Sequence, residues 1–600
     1  MQAIKKSLRG HYRTLIIAPA FKLFEAILEL MVPLIMAQII NVGIGTGDRS
    51  FILMRGGWLL GLAVLGVVAA WIGQYYAAQA AADAGRTLRR RLWDQVMDLS
   101  AEQTGALGQG KLIHLLTGDV LQIQLGLNLL IRLGARVPFL AAGSVVMAFL
   151  LNPRIGLIFF VTVIALGLVL TAIIRRVLPA FGEVQAAQDE LSRLGREQLD
   201  GVRVIRAFGQ EETEAAAFDR AAKGLTRKLL QAGRAAALMS PLAILFIHGA
   251  ILGIVWLGAR YTYLGQSNPG EIVALVSYMG ITLLAIMTAV HLTIVFTRSL
   301  ASARRVEAAL EIRPSITDGP GALPPLCAPN LSPPAYVEGK QENLQCICPL
   351  PVPILIFDKV SFTYHGAAGA ALSDVSFSLR PGETLGIIGG TGSGKSTLAG
   401  LIPRLMDCTA GQVCLGGVPV GAYTLSDLRG RIGFVPQKAV LFTGSVAHNL
   451  RMAAPGATED ELWAALETAQ AASFVRDFPE GLNTEIRQGG VSLSGGQKQR
   501  LNIARALLCR PAVLVLDDAS SALDYLTDAA LGKALRDWAE DTAVVRISQR
   551  AASLRQAERI LVLEEGCVTG YGTQPELLET CTVYREICRS QGLLEEEASE

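Results

Sequence analysis

The chain has 600 residues, too many for one domain, and 51% of them are hydrophobic. Charged residues make up only 18% and the mean hydropathy is +0.40, which excludes a uniformly soluble protein. A net charge of +2 points to no nucleic-acid partner.

Met1–Arg13 carries Lys5, Lys6, Arg9 and Arg13 among apolar residues and lacks a cleavable-signal pattern. An interfacial elbow helix leading into a membrane is expected there. Six apolar runs follow, at roughly 16–40, 57–79, 133–151, 155–175, 240–260 and 271–297, each long enough to span a bilayer. A long polar stretch with Arg86, Arg89, Arg90, Arg91 and Lys111 separates the second and third. Another, with Arg193, Arg196, Arg203, Arg206, Lys223, Arg227, Lys228 and Arg234, separates the fourth and fifth. The remaining connections are short and carry few charges. Basic residues favour the cytoplasmic side, so both long stretches and both termini are expected to face the cytoplasm. Helical periodicity in the second stretch predicts spans that continue as helices beyond the bilayer.

Lys22, Glu25 and Glu29 lie about a turn apart on the first span, and His248 and His291 lie in the fifth and sixth. Ionisable groups at such depths are functional candidates. The first three also fit a structural polar seam near the cytoplasmic end. Trp71, Tyr75, Tyr76, Tyr278 and Met287 fit packing as well as contact with a substrate.

Composition shifts at 313–353, where Pro324, Pro325, Pro333, Pro334, Pro349, Pro351 and Pro353 argue for a linker. The expected organisation is a transmembrane domain at 1–312, this linker, a soluble domain at 354–594 and an acidic tail at 595–600. All nine cysteines follow residue 326. Cys327, Cys346 and Cys348 are a weak metal-ligand pattern, and the others read as reduced cytosolic thiols.

From Ile354 onward apolar strands alternate with helical patterns, which predicts an α/β sheet. Gly389 to Ser396 fits the phosphate-loop pattern G-x-x-x-x-G-K-[ST]. A buried strand, Leu385 to Ile388, precedes it, and Thr397 opens a helix after it. The glycines, Gly389, Gly392 and Gly394 among them, allow backbone N–H groups to wrap phosphate oxygens. Lys395 should reach the β- and γ-phosphates of ATP, and the Ser396 hydroxyl should hold Mg²⁺. The strand Val513 to Asp517 ends in a carboxylate that can hold the same cation. Ser494-Gly495-Gly496-Gln497, at the start of a second helix, is a further anion cradle. Two cradles so far apart in sequence suggest two chains sandwiching ATP.

On these motifs the chain resembles an ATP-binding cassette exporter half-transporter, in which six membrane helices precede one nucleotide-binding domain. That resemblance implies a six-span α-helical transmembrane domain plus an α/β P-loop domain. Leu493 to Gln497 resembles the family signature, Tyr364 the aromatic residue that stacks on adenine, and Gln437 the glutamine that senses Mg²⁺. Ser521 to Asp524 resembles the D-loop. Gly110 to Asp119 and Gly201 to Glu211 resemble the segments that bear the coupling helices.

Two positions depart from the family pattern. Asp518 stands where a glutamate polarises the attacking water, and Gln549 stands where a histidine contacts the γ-phosphate. Aspartate is one methylene shorter, and glutamine donates a hydrogen bond without becoming cationic. The signature, which serves the opposite site of a dimer, is intact. The combination resembles the degenerate-site subunit of heterodimeric, multidrug-type exporters, whose partner supplies the glutamate and histidine. The expectation is ATP-driven export of a small amphiphilic substrate across the cytoplasmic membrane. A homodimer with two slow sites, or an ATP-gated channel, are the alternatives.

Overall fold

The computed structural model describes residues 12–319 and 353–594, which fall into two compact units. The elbow segment, most of the proline-rich stretch with Cys327, Cys346 and Cys348, and the acidic tail lie outside the described residues.

The first unit takes the chain to Met97 and then Leu107–Arg313. It is built from six long helical stretches, Thr14–Ile44, Arg49–Asp98, Gln109–Leu151, Pro153–Asp200, Glu211–Tyr263 and Pro269–Leu310, each apolar enough to cross a membrane. Each expected span falls within one of them. At 1.5 Å per residue, the 50 residues of Arg49–Asp98 reach about 75 Å, far more than a hydrocarbon core of about 30 Å requires. No helix breaker separates the apolar run from the polar run that follows, so one helix carries both.

The core of this unit gathers Leu30, Leu140, Phe159, Leu166, Ile247, Ile254 and Tyr278. Tyr278 is fully buried and donates its hydroxyl to Leu30 O at 2.6 Å, so it is a packing residue. Lys22, Glu25 and Glu29 form an ionic seam with Arg136. Lys22 Nζ lies 2.7 Å from Glu25, and the Arg136 guanidinium lies 2.7 Å from Glu29 and 3.4 Å from Glu25. Two cations and two carboxylates leave the seam neutral, which is how charge is tolerated at such depth. His248 and His291 lie outside it and are exposed, as are Trp71 and Tyr75. Further along, Asp119 is buried and accepts from Arg305, Nε at 3.1 Å. This pair ties the stretch after Gln109 to the last helix.

The second unit comprises Pro314–Glu600 together with Asp98–Ala106. Its main sheet has six strands in the order Cys567–Gly572, Arg559–Glu564, Thr384–Gly389, Ala543–Ile547, Val513–Asp517 and Ile432–Val435. The first pair is antiparallel and the rest are parallel. Val513–Asp517 and Ala543–Ile547 are buried at every residue, as parallel strands covered on both faces must be. A smaller antiparallel sheet, containing Leu355–Phe362 and Leu372–Leu379, shares one core with it through Phe357, Phe377, Leu385 and Val515. A second core, around Leu450, Leu466, Ile503 and Leu516, underlies the helices of 446–507.

Residues 314–319, assigned to the linker on composition, pack on this unit. Arg404 donates to Thr317 O at 2.9 Å, and Gly319 N–H donates to Tyr423 O at 3.1 Å. The first of the segments compared with coupling helices, Gly110 to Asp119, lies in the first unit. The piece that belongs with the second is Asp98–Ala106. There Glu102 accepts from His365 N–H at 2.9 Å, and Gln103 from Ser315 N–H at 3.2 Å.

Candidate functional site

The phosphate loop leaves the main sheet at Gly389 and enters the helix Lys395–Leu401. Gly392 and Gly394 take φ values of +85° and +95°, where an L side chain is strained. A Cβ on Gly394 would also stand 2.5 Å from Ala371 O. Gly390 and Gly392, by contrast, face open space. The loop is therefore held from below and open above, a cradle of the right shape for a polyphosphate.

Lys395 is buried and folds back into the loop. Its Nζ donates to Gly389 O at 2.9 Å, Gly390 O at 2.5 Å and Ser393 Oγ at 3.2 Å. Burial lowers its pKa, against the opposing pull of Asp518 and Asp517. Ser396 Oγ donates to Asp517 Oδ1 at 3.1 Å. Gln437 Nε2 donates to Asp518 Oδ2 at 3.3 Å. Burial raises the pKa of both aspartates above the usual carboxylate range, because ionised oxygens there lack full hydration. A divalent cation would supply the missing positive charge. Ser396, Asp517 and Gln437 offer only oxygen ligands, the set that Mg²⁺ prefers.

Asp518 has a φ of +48°, and its N–H donates to Ile547 O at 3.1 Å. The nearby backbone N–H of Gln549, an exposed residue, partly offsets the pKa rise at Asp518. Tyr364 is 39% exposed, so one ring face is free for a base. Its hydroxyl lies 3.0 Å from Thr397 Oγ1, and Phe362 abuts it edge-on at 4.8 Å. Tyr364, Lys395, Ser396, Thr397, Gln437, Asp517 and Asp518 thus share one site, with the Gln549 backbone near Asp518.

Ser494, Gly495, Gly496, Gln497 and Asp524 form a second group. Ser494 caps the helix Gly495–Leu507 in a reciprocal box with Gln497: Ser494 N–H donates to Gln497 Oε1 at 2.9 Å, and Gln497 N–H to Ser494 Oγ at 3.3 Å. A Cβ on Gly496 would meet Ala522 O at 2.9 Å, so glycine here allows the turn Ser521 to Asp524 to lie against the helix start. Asp524 caps the next helix, accepting from Thr527 N–H at 2.9 Å. Arg550, which the motifs did not single out, fixes this turn through Leu523 O at 3.1 Å and Ser521 O at 3.3 Å. Its place directly after the switch position was the available signal.

Comparison with known proteins agrees with this geometry. The model of the ABC transporter transmembrane region matches residues 15–287, and that of the ABC transporter matches 372–521. An uncharacterized ABC transporter ATP-binding protein of Mycobacterium tuberculosis, Rv1273c, is 34% identical over 98% of both chains. An ATP-dependent lipid A-core flippase of Chromobacterium violaceum is 28% identical over 97% of this chain and 95% of its own. The structure of a bacterial Atm1-family ABC exporter with ATP bound superimposes with a TM-score of 0.81, covering 99% of this chain and 100% of that one. At 22% identity that likeness speaks for the fold alone. A multi-pass membrane unit and a phosphate-loop unit in one chain, matched along nearly its full length by a relative one-third identical, have one explanation: the chain belongs to the ATP-binding cassette (ABC) exporters, and its second unit is their ATP-binding ATPase.

Proposed function

We propose that this chain is one half of a heterodimeric exporter of small amphiphilic molecules, and that its own ATP site is weak. The observation that carries the reading is the pair Asp518 and Gln549: an aspartate buried beside Lys395 and held by Gln437 Nε2 at 3.3 Å, with the Gln549 backbone near its carboxylate. Exporters of this family act as dimers, so each ATP lies between one chain's phosphate loop and the other chain's signature.

Bound ATP, with Mg²⁺, supplies the phosphoanhydride bond whose hydrolysis drives the cycle. Lys395 turns from the Gly389 and Gly390 carbonyls toward the phosphates. Ser396, Asp517 and Gln437 would hold the cation, and Tyr364 offers a ring face to the base. Asp518 is left to orient water, with a carboxylate one methylene short of the glutamate usual at this position. A misplacement near 1 Å costs on the order of 10²-fold in rate. Gln549 offers the γ-phosphate a neutral donor in place of a cationic one, a further loss of the kind seen when one transition-state donor is removed, about 10²-fold. The intact Ser494-Gly495-Gly496 cradle serves the partner's site, where most turnover takes place. ATP binding closes the nucleotide domains, and the membrane helices shift between inward- and outward-facing states. The cytoplasmic membrane and cytoplasmic termini belong to the same proposal. So does an amphiphilic cargo, supported by largely apolar membrane helices and by the lipid substrate in the flippase's name.

ATPase activity of the chain purified alone in lipid tests this reading, measured beside an Asp518→Glu, Gln549→His variant. Negligible turnover in the first and a rise of at least about 10-fold in the second is expected. Equal, robust turnover in both would overturn it in favour of a homodimer.

A further inference from the structure

The helix Thr582–Ser590 ends in a well-defined cap. Gly592 takes a φ of +67°, Gly592 N–H donates to Arg589 O at 3.0 Å, and Leu593 N–H donates to Cys588 O at 3.0 Å. This is the paired-bond termination that a left-handed glycine makes possible. Tyr584 and Cys588 bury the helix in a core with Ile388 and Val562. Gln591, at the cap, is therefore held at a fixed place.

Its side chain reaches the loop after the strand Ala543–Ile547. Gln591 Nε2 donates to Gln549 O at 2.8 Å, and Gln591 Oε1 accepts from Ala551 N–H at 2.8 Å. A primary amide offers a donor and an acceptor side by side, which matches a carbonyl and an N–H two residues apart. A carboxylate offers no donor, and an ammonium offers no acceptor. Two further connections leave the clamped loop. At its strand end, Ile547 O accepts from Asp518 N–H at 3.1 Å. Arg550, between the clamped groups, holds Leu523 O and Ser521 O.

We infer that Gln591 is a positioning residue for ATP hydrolysis. The C-terminal helix splints the switch loop through it, and so sets where the side chain at 549 stands. Through Arg550 the same splint fixes the turn Ser521 to Asp524 beside the signature. This inference rests on the reading of Asp518 and Gln549 as the hydrolytic end of the site.

The test uses the full chain in lipid, in the Asp518→Glu, Gln549→His background that gives it measurable turnover. Gln591→Ala deletes both bonds. Gln591→Glu keeps an acceptor for Ala551 N–H but sets a carboxylate against the carbonyl of residue 549. In Gln591→Ala, amide exchange at Ala551 is expected to quicken by on the order of 10-fold, with the helix Tyr525–Trp538 and the melting temperature unchanged. The kcat is expected to fall about 10-fold at an unaltered KM for ATP, since the phosphate loop and Tyr364 are untouched. Gln591→Glu should lose as much kcat while retaining slow exchange at Ala551. Unchanged kcat and exchange in Gln591→Ala would overturn the inference, and so would kcat, KM and melting temperature falling together. A background without turnover would count against the roles given to Asp518 and residue 549, and the exchange measurement would then decide the splint.

Discussion

Asp528→Asn should unfold the ATPase unit at a markedly lower temperature. Arg546, on the strand Ala543–Ile547, is 7% exposed, and Asp528, in the first turn of the following-D-loop helix Tyr525–Trp538, is 5% exposed. The guanidinium bonds Asp528 Oδ1, and Ser553 Oγ donates to Asp528 Oδ2 at 2.6 Å. Burial lowers the pKa of Arg546, outweighing the neighbouring carboxylate. Arg546, Gly532 and Ser553 line a small cavity with room for about one water, too little to rehydrate a charge left without its carboxylate. Asparagine preserves the shape and removes the charge. An arginine left buried without its counter-charge costs about 3–5 kcal/mol. For a domain of this size, each kcal/mol moves the midpoint by about 2–4 °C, so the drop is roughly 10 °C. Calorimetry of the full chain, following the ATPase transition, reads it directly. The double replacement Asp528→Leu, Arg546→Met should recover most of the loss, because no charge is then left unpaired. A shift below about 2 °C in Asp528→Asn would refute the reasoning, since it would mean that the guanidinium finds water after all.

Two other outcomes follow from the same physics. Asp517 and Asp518 have raised pKa values, so the folded apo-protein binds protons more tightly than the unfolded chain. Stability is therefore lost as pH rises from the ordinary value of 3.8 through the raised values, and the loss persists above them. Melting curves in chelator across that window should fall less steeply for Asp517→Asn than for the parent, and Mg²⁺ with ATP should restore the parent at neutral pH. In the membrane unit, Arg136→Gln strands Glu29 and should cost about 2–3 kcal/mol in lipid. Arg136→Gln with Glu29→Gln should recover part of it, as thermal denaturation in the same lipid would show.

The parts of the molecule legible in the sequence are those whose partners lie nearby in the chain or whose spacing is fixed by one turn. Gly389 to Ser396 is such a part, since loop and helix are contiguous. So is Ser494 with Gln497, three residues apart in a capping box. The ionic seam was half legible. Lys22, Glu25 and Glu29 share a helix face, but Arg136 comes from 107 residues further on and resembles any basic residue at a span's edge. The contact of Glu102 with His365 spans 263 residues and uses a backbone N–H, which no composition records. Gln591 is equally silent, an exposed polar residue after a helix until the loop it grips is seen. Span edges were blurred for a different reason. A helix that runs on for 50 residues has the same periodicity inside the bilayer and outside it.

The left-handed backbone at Asp518 bears on how such a site could arise. Residues with a side chain on Cβ lose about 1–2 kcal/mol in that conformation, and aspartate is among the few that tolerate it, because its short side chain can bond its own surroundings. Ser521 N–H and Oγ, at 3.2 and 2.8 Å, hold the Asp518 carbonyl in place. At this position a change from glutamate to aspartate sacrifices catalytic reach and relaxes the main chain in one step. In a two-site transporter the other site can carry turnover, so the exchange meets little resistance from selection and some encouragement from folding. Reversing it strains the main chain again, and while Gln549 stays in place it regains little turnover, which would make the asymmetry of such a pair self-perpetuating.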